Sequence, residues 1–340
     1  RAHGPHGLVA GMTGSGKSEF IISYILSMAT SFHPYEVAFI LIDYKGGGMA
    51  KSFENIPHTA GVITNLDGNG IQRSLASMRS ELHRRERIFR DVSLKYNVSN
   101  IDIYKYQKLY REGKVKEPLP HLFIISDEFA ELKKEQPDFM TELTSTARVG
   151  RSLGVHLILA TQKPGGVVDD QIRSNSRFKI CLKVQDSGDS VEMLGRPDAA
   201  ALVDTGRFYL QVGYNEIFEI GQSAWAGAPY YPSAKTIKDL DDAVSVIDMN
   251  GRVIAEVNTD RFSMIKDPPK QLDVITKYIS KYCEDEKIEW WKMWLDPIPA
   301  HIYVDELAEK YAPKTEKFVL NPIFGEYDDP SHQAQGILTL

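Results

Sequence analysis

One eight-residue run, Gly11 to Ser18, constrains the fold more than any other part of the sequence. It reads GMTGSGKS and fits the pattern G-x-x-x-x-G-K-[ST] at every fixed position. The apolar residues Leu8 to Ala10 precede the run, and apolar side chains recur at helical spacing after it, at Phe20, Ile21, Tyr24, Ile25 and Met28. A strand, a glycine-rich loop and a helix in this order predict an α/β fold that binds phosphate groups.

The loop predicts ATP and Mg²⁺ as cofactors. In such loops the backbone N–H groups and the helix N-terminus bind the phosphates. Lys17 is expected to reach the β- and γ-phosphates, and the Ser18 hydroxyl to ligate Mg²⁺. The predicted nucleotide-binding residues are Gly11, Met12, Thr13, Gly14, Ser15, Gly16, Lys17, Ser18 and Glu19.

A second motif supplies the acidic groups that ATP hydrolysis requires. The apolar run from His121 to Ser126 ends in Asp127 and Glu128. Asp127 is predicted to hold Mg²⁺ through its water shell, and Glu128 to orient and deprotonate the attacking water. An acidic pair after a strand often starts a helix without any catalytic role, so this prediction depends on the phosphate loop.

Short β-branched runs alternate with helical stretches along the first two thirds of the chain. The predicted strands are Gly7 to Ala10, Glu36 to Ile42, His121 to Ser126, Val155 to Ala160 and Phe178 to Val184. This alternation is typical of a mostly parallel central sheet flanked by helices. A further helix is indicated by apolar residues from Ile71 to Phe89, and its interleaved arginines, Arg79, Arg84, Arg85, Arg87 and Arg90, are expected to form a solvated, salt-bridged face.

Polar residues near the third of these strands are further candidates. Gln162 follows Thr161 at the edge where open parallel sheets bind ligands. It could sense the γ-phosphate, position the attacking water or simply belong to a turn. Arg148 and Arg151 lie three residues apart on one predicted helix face. Either could act as an arginine finger for a neighbouring subunit, or could be an ordinary surface residue.

Composition excludes several classes of protein. The 340 residues carry 40 basic and 46 acidic side chains, a formal charge of −6, which lacks the basic excess of a dedicated duplex-DNA binder. The two cysteines, Cys181 and Cys283, cannot form a disulfide framework or a four-ligand zinc site, so a reducing cytoplasm is the expected compartment. The longest purely apolar run is far shorter than the ~20 residues of a membrane-spanning helix.

The chain resembles the FtsK/SpoIIIE class of hexameric, RecA-like motor ATPases. The resemblance lies in the segments from Asp127 to Glu131 and from Ala147 to Pro164. More narrowly, the segments His6 to Glu19, Asp43 to Gly48 and Leu194 to Ala200 look like the EssC/EccC branch, the membrane-anchored motors of type VII secretion. This likeness implies a RecA-like fold and makes Arg151 the preferred trans-acting finger, with Arg148 in reserve.

The resemblance also implies a domain organisation and partners. Residues 1–235 would be the ATPase domain, 236–322 a connector with a hairpin around Asn250-Gly251 and a helix from Lys270 to about Glu286, and 323–340 the lead-in to a following, truncated ATPase module. The expected partners are neighbouring ATPase modules in a ring, membrane core proteins of the secretion system and secreted helical-hairpin proteins. The expected location is the cytoplasmic part of a membrane-anchored protein.

Three functional hypotheses remain from the sequence. The first is a motor that couples ATP hydrolysis to protein export, the second a double-stranded DNA translocase, and the third a nucleotide-binding gating module with little turnover. The charge of −6 argues against DNA as cargo. The cluster Trp290, Trp291 and Trp294 could grip an amphipathic peptide, although packing of the connector is the more ordinary use.

Overall fold

The central feature of the fold is one eight-stranded sheet within the part of the chain that the structure describes. The structure is a computed structural model that describes residues 5–43, 48–64, 68–168, 170–214, 216–231, 244–257, 267–288, 295, 298–313 and 321–339. The strands of the sheet are β1 (His6–Ala10), β2 (Val37–Ile42), β3 (Thr59–Ile63), β4 (His121–Ser126), β5 (Val155–Thr161), β6 (Ser176–Leu182), β7 (Arg207–Val212) and β8 (Ile217–Gln222). All five predicted strands are confirmed.

Helices connect these strands and cover both faces of the sheet. They are α1 (Lys17–Ser31), α2 (Gly48–Phe53), α3 (Gly68–Tyr96), α4 (Ile103–Arg111), α5 (Phe129–Glu135), α6 (Pro137–Leu153), α7 (Asp170–Asn175) and α8 (Ser187–Leu194). One apolar cluster packs the sheet against α3 and α6, and a second packs it against α1 and α2. Because both faces are covered, every residue of β2 is buried, which explains its continuous apolar sequence.

The strand order is β3-β2-β4-β5-β1-β6-β7-β8. The strands from β3 to β6 are paired in parallel, and β7 and β8 extend the sheet as antiparallel neighbours. The prediction of a mostly parallel sheet is therefore confirmed. Parallel pairing aligns the carboxyl ends of β4, β5 and β1, so the segments that follow these three strands meet at one edge.

Arg85 corrects the prediction of a solvated arginine face on α3. Its side chain is fully buried, donates to Glu81 Oε1 at 2.7 Å and to the carbonyl oxygen of Leu153 at 2.8 Å. Glu81 is also buried, and it accepts from Arg84 at 2.8 Å as well. The prediction fails here because α3 packs against α6 along part of its polar face, and the pairing with Glu81 compensates the buried charge.

The C-terminal third contains two hairpins and two helices. They are β9 (Val244–Ile247) with β10 (Val253–Val257), α9 (Gln271–Asp285), α10 (Val304–Tyr311), and β11 (Ile323–Asp329) with β12 (Ala334–Thr339). The hairpin at Asn250-Gly251 and the helix after Lys270 are thus confirmed. The segment 323–340, predicted as a lead-in to a following module, contains the hairpin of β11 and β12. The three tryptophans at 290, 291 and 294 lie outside the described residues.

The helix α9 contacts the sheet-bearing part of the chain directly. It packs against α1 and α2, and Leu272 is buried in the apolar cluster that these helices form. Ser280 Oγ donates to the carbonyl oxygen of Asn55 at 2.9 Å. The second hairpin is held by an ion pair of 3.0 Å between Arg73 on α3 and Asp328 on β11.

Of the helices that the structure describes, none has both the length and the apolar character needed to cross a membrane.

A partly buried histidine at the start of β4, His121, and a buried histidine near the start of β5, His156, form a hydrogen-bonded chain. His121 Nδ1 lies 2.8 Å from His156 Nε2, and His156 Nδ1 lies 3.0 Å from the carbonyl oxygen of Pro5. Because a carbonyl only accepts, His156 Nδ1 carries the proton, and its Nε2 accepts from His121 in the neutral ring. Burial is the main reason why the pKa of His121 is lowered to about 4 and that of His156 to about 3, and the positive charge of Arg85 contributes to both shifts.

These lowered pKa values predict that the fold loses stability in mild acid. In the unfolded chain both imidazoles have a pKa near 6.5, so below this pH the unfolded chain binds more protons than the folded protein. The contribution of the two rings to folding stability is therefore complete above pH 6.5 and decreases as the pH falls towards the folded values. At pH 5 the loss is roughly 1 to 2 kcal/mol for each ring. Urea unfolding at pH 7.5 and pH 5 should show that His156→Gln loses less stability over this interval than the unmodified chain. The exposed His83 provides the control as His83→Gln, and an equal pH dependence for His156→Gln and the unmodified chain would contradict the assignment.

Candidate functional site

The glycine-rich loop between β1 and α1 is held at the centre of the sheet's carboxyl edge. Gly11 N donates to the carbonyl oxygen of Thr161 at 3.2 Å, and Met12 N donates to that of Lys183 at 2.8 Å. Gly14 and Gly16 have φ of +81° and +92°, in the left-handed region that glycine adopts without strain. The loop therefore curves tightly between two anchors on the neighbouring strands and leads directly into the N-terminus of α1.

The segment before β7 packs directly against this loop. This contact was not predicted from the sequence. Gly206 N donates to the carbonyl oxygen of Ser15 at 2.8 Å. A Cβ atom at Gly16 would lie 2.9 Å from Gly206 N, so the close approach of the two backbones requires glycine there. Thr205 Oγ1 lies 3.5 Å from the carbonyl oxygen of Gly14. The only sequence signal for this contact is the Thr-Gly pair after a helix, which is common in turns.

Lys17 brings the two predicted motifs together. Its side chain is buried, and Nζ donates to the backbone oxygen of Asp127 and, at 2.8 Å, to Asp127 Oδ1. Glu128 Oε2 lies 4.0 Å from the same nitrogen. Lys17 lies beside the acidic pair because β1, β5 and β4 are paired in parallel. The loop follows β1 and the acidic pair follows β4, so both lie at the same edge of the sheet. A buried ammonium beside two carboxylates is electrostatically compensated.

The Glu128 carboxylate is anchored by the end of β5. Thr161 Oγ1 donates to Glu128 Oε1 at 2.7 Å, and Gln162 N donates to Oε1 at 3.2 Å and to Oε2 at 3.1 Å. Both Glu128 and Thr161 are buried. These bonds fix the carboxylate with Oε2 towards Lys17. From the sequence, Thr161 is recognised only as the polar neighbour of Gln162 and has no assigned role, because a threonine at the end of a buried strand is unremarkable by composition.

Gln162 also lies at the site through its side chain. Thr13 Oγ1 of the glycine-rich loop donates to Gln162 Oε1 at 2.9 Å. The structure therefore brings Gln162 next to the loop, as predicted from its place after β5.

The site fits a phosphate chain better than a metal held by protein alone. Ser15 Oγ is buried and has no hydrogen-bond partner among the described residues, and a Cβ atom on Gly14 would meet open space. Ser18 and Glu19 follow in the first turn of α1 with exposed side chains. Within the described ranges, no three His, Cys, Asp or Glu side chains are grouped as a metal site. Magnesium at phosphate sites takes few protein ligands, and Ser18 and Asp127 are of the required type.

Of the two candidate arginines, Arg151 does not reach this site from within the same chain. Arg151 is exposed near the C-terminal end of α6, at the edge of the sheet where β5 begins. The seven residues of β5 separate that edge from Gln162 by roughly 20 Å. Arg148 lies in α6 as well, and its side chain is outside the described set. The structure thus places Arg151 on the opposite edge from the phosphate loop.

Comparison with known proteins identifies the family. Residues 1–166 match the FtsK/SpoIIIE family. The chain contains an FtsK/SpoIIIE family domain. It is 51% identical over 348 aligned residues to the type VII secretion system protein EssC of Staphylococcus aureus, and 50% identical over 339 residues to the ESX secretion system protein YukB of Bacillus subtilis. These alignments cover 100% and 98% of the chain, but only 23% and 22% of the relatives, so the chain spans less than a quarter of their length.

Solved structures agree with this assignment. The cytoplasmic domain of the type VII secretion ATPase EccC from Thermomonospora curvata superimposes with a TM-score of 0.77 and 26% identity, covering 100% of this chain and 36% of that one. ATPases 2 and 3 of EssC from Geobacillus thermodenitrificans superimpose with a TM-score of 0.69 at 20% identity, covering 99% of this chain and 53% of that one, which shows the shared fold. The RecA-like ATPase fold of the FtsK/SpoIIIE domain is confirmed.

The anchoring of Glu128 predicts that Thr161→Val lowers the turnover number and leaves nucleotide affinity unchanged. Valine keeps the shape of the side chain but removes the hydroxyl that donates to Glu128 Oε1. The carboxylate then loses one of the hydrogen bonds that fix its orientation. We expect a decrease of about 10-fold in kcat, the size of one hydrogen bond to a charged group. Steady-state ATPase assays at matched protein concentration measure kcat and KM separately. Thr161→Ser keeps the hydroxyl and should retain most of the activity, and equal losses in the two variants would contradict the positioning role.

Proposed function

We propose that this chain binds and hydrolyses ATP with Mg²⁺ at the carboxyl edge of its sheet. The observation that carries the proposal is the convergence of Lys17, Asp127 and an anchored Glu128 beside the phosphate loop. Family membership supports nucleotide binding. The same geometry argues against a module that only gates, since Glu128 is held with one oxygen towards Lys17 by two donors at the end of β5.

Each residue has a defined task in this proposal. The backbone of the loop from Gly11 to Gly16 and the N-terminus of α1 bind the phosphates, and Lys17 moves from Asp127 to the β- and γ-phosphates. Ser18 and Asp127 hold Mg²⁺, which supplies charge neutralisation when it is bound. Glu128 orients the attacking water and accepts its proton, and Gln162 positions the water or senses the γ-phosphate.

We further propose that the domain is a motor module of a type VII protein secretion ATPase. Identity of about half of all residues to EssC and YukB across nearly the whole chain supports this. In that setting residues 1–235 form the ATPase domain, 236–322 the connector, and 323–340 the lead-in to the next module. The partners are other ATPase modules in a ring, membrane core proteins and exported helical-hairpin proteins, and the module lies on the cytoplasmic side of a membrane-anchored protein.

The position of Arg151 supports the proposal that it acts on a neighbouring module. A guanidinium about 20 Å from its own phosphate loop cannot neutralise the γ-phosphate charge there. It is exposed at the edge of the sheet, where an adjacent module in a ring has access. We therefore assign Arg151 as an arginine finger in trans, with Arg148 as the reserve candidate.

Mixing two inactive variants tests hydrolysis and the finger together. Arg151→Ala lacks the finger and Glu128→Gln lacks the base, so each alone should be inactive. A mixed assembly joins an intact base to an intact finger and should recover activity, because such arginines contribute about 10³ to 10⁵ in rate in related systems. Arg111→Ala, which removes another exposed arginine, should stay active alone. A mixture that assembles but recovers nothing, or a fully active dilute monomer, would contradict a finger in trans.

Duplex DNA separates protein export from DNA translocation. The chain carries a formal charge of −6, and we expect little DNA binding near physiological salt and no stimulation of its ATPase activity. Binding of duplexes of increasing length can be measured by fluorescence anisotropy at several salt concentrations, with ATPase rates measured in parallel. Tight, length-dependent binding with DNA-stimulated hydrolysis would replace the export proposal by a translocase.

A further inference from the structure

The open end of the β7–β8 hairpin lies next to the phosphate loop. The two strands pair antiparallel with Arg207 opposite Gln222, so the last residue of β8 lies beside the segment that enters β7. Thr205 and Gly206 form that segment, and Gly206 N donates to the carbonyl oxygen of Ser15 in the loop at 2.8 Å. Only this short segment therefore separates Gln222 from the phosphate loop.

The side chain of Gln222 fixes the peptide group between Thr205 and Gly206. Gln222 Nε2 donates to the carbonyl oxygen of Thr205 at 2.9 Å. The peptide bonds of the described residues are trans, and in a trans peptide group the C=O and the N–H point in opposite directions. The Gly206 N–H therefore points away from Gln222, and this is the N–H that donates to Ser15.

The same geometry applies to the next peptide group, which belongs to the phosphate loop itself. The carbonyl oxygen of Ser15 accepts from Gly206, so the Gly16 N–H of the same peptide group points away from Gly206. Gly16 immediately precedes α1, and the first N–H groups of a helix have no acceptor within it. N–H groups in this position donate to the phosphates of a bound nucleotide.

These hydrogen bonds form a series that we call the peptide relay. It runs from the Gln222 amide through the peptide group of Thr205 and Gly206 to that of Ser15 and Gly16. Hydrogen bonds in series polarise one another, so each donor in the relay strengthens the next one. The relay ends at a backbone donor of the phosphate loop.

The close packing in the relay leaves no room for a side chain at Gly206. This residue has a φ of +79°, and a Cβ atom there would lie 2.9 Å from Gln222 Nε2. A second hydrogen bond, from Ser223 N to the carbonyl oxygen of Gly206 at 2.8 Å, also connects the segment to the end of β8. Because this backbone bond holds the segment in place, the Gln222 side chain has the narrower task of orienting one peptide group.

We propose that Gln222 is a positioning residue for the nucleotide, which acts through the peptide relay on the Gly16 N–H that donates to a phosphate group of ATP. This inference rests on the proposed function, because it takes the loop as the ATP site. A loop amide contacts the phosphates in the bound substrate as well as in the transition state, so loss of its orientation weakens both states. The loss therefore raises KM and leaves kcat nearly unchanged.

Gln222→Met tests the relay, since methionine keeps the length of the side chain but has no N–H donor. Calorimetry with Mg²⁺ and a non-hydrolysable ATP analogue should show about 5-fold weaker binding than in the unmodified chain, the effect of losing one neutral hydrogen bond. Gln222→Glu keeps the size but places an oxygen against the Thr205 carbonyl, and it should weaken binding at least as much.

Gln271→Met is the matched control. Gln271 Nε2 donates to the carbonyl oxygen of Pro229 at 3.2 Å, another solvent-exposed hydrogen bond from a glutamine to the backbone. It lies outside the peptide relay, so its loss should change the affinity for the analogue by less than about 2-fold.

Amide resonances distinguish a positioning role from a merely structural one. In amide spectra of the isotope-labelled, nucleotide-free chain, the Gly206 and Gly16 protons should shift upfield in Gln222→Met, because their peptide groups are less polarised. The shift that the analogue produces at Gly16 should be smaller than in the unmodified chain. The Gly11 N–H, which donates to Thr161 outside the relay, should be unaffected.

The outcomes separate failure of the relay from failure of the ATP site. An unmodified chain that binds no analogue overturns both proposals, whereas equal binding by the unmodified chain and Gln222→Met overturns the relay alone. A fall in kcat at constant KM, or an unchanged Gly16 resonance, also overturns the relay. Circular dichroism checks folding, and Gln222→Glu carries the test if Gln222→Met does not fold.

Discussion

The parallel pairing of β4, β5 and β1 determines where every polar group of the proposed ATP site lies. Each of these strands ends at the same edge, so Asp127, Gln162 and the loop beginning at Gly11 become neighbours although up to 150 residues separate them along the chain. The bond from Gly11 N to the carbonyl oxygen of Thr161 extends this pairing into the loop itself. A shift of one residue between β1 and β5 would break that bond and turn Thr161 away from Glu128.

The same sheet separates two charge systems of different character. At the carboxyl edge, the buried Lys17 is compensated by Asp127 and Glu128 within 4.0 Å. At the amino edge, Arg151 and Lys179 have no such compensation among the described residues. In the proposed ring, the cationic amino edge of one module and the nucleotide phosphates at the carboxyl edge of the next would have opposite charges, so nucleotide binding and assembly would favour each other.

Particular elements show how far the sequence could be interpreted. The strands β1, β2, β4, β5 and β6 were predictable because buried parallel strands have continuous apolar sequences. The strand β3 was not predicted because it has only five residues, and the antiparallel pair β7 and β8 was not predicted because its residues are mostly only partly buried and give a weaker pattern. Arg85 was misassigned to a solvated face because a buried arginine with a Glu at i−4 has the same sequence pattern as an exposed pair.

The sequence by itself determined the phosphate-loop motif, because the glycine-rich loop and Lys17 form a local pattern with few other uses, and it made the acidic pair a candidate only in combination with that loop. Tertiary structure alone decided which other residues join that chemistry. Thr161 reaches Glu128, and Gly206 reaches Ser15, only because distant segments are brought within 3 Å by strand pairing. The structure also decided that Arg151 lies on the far edge of the sheet. Contacts between distant segments depend on register and layer packing, which no local pattern encodes.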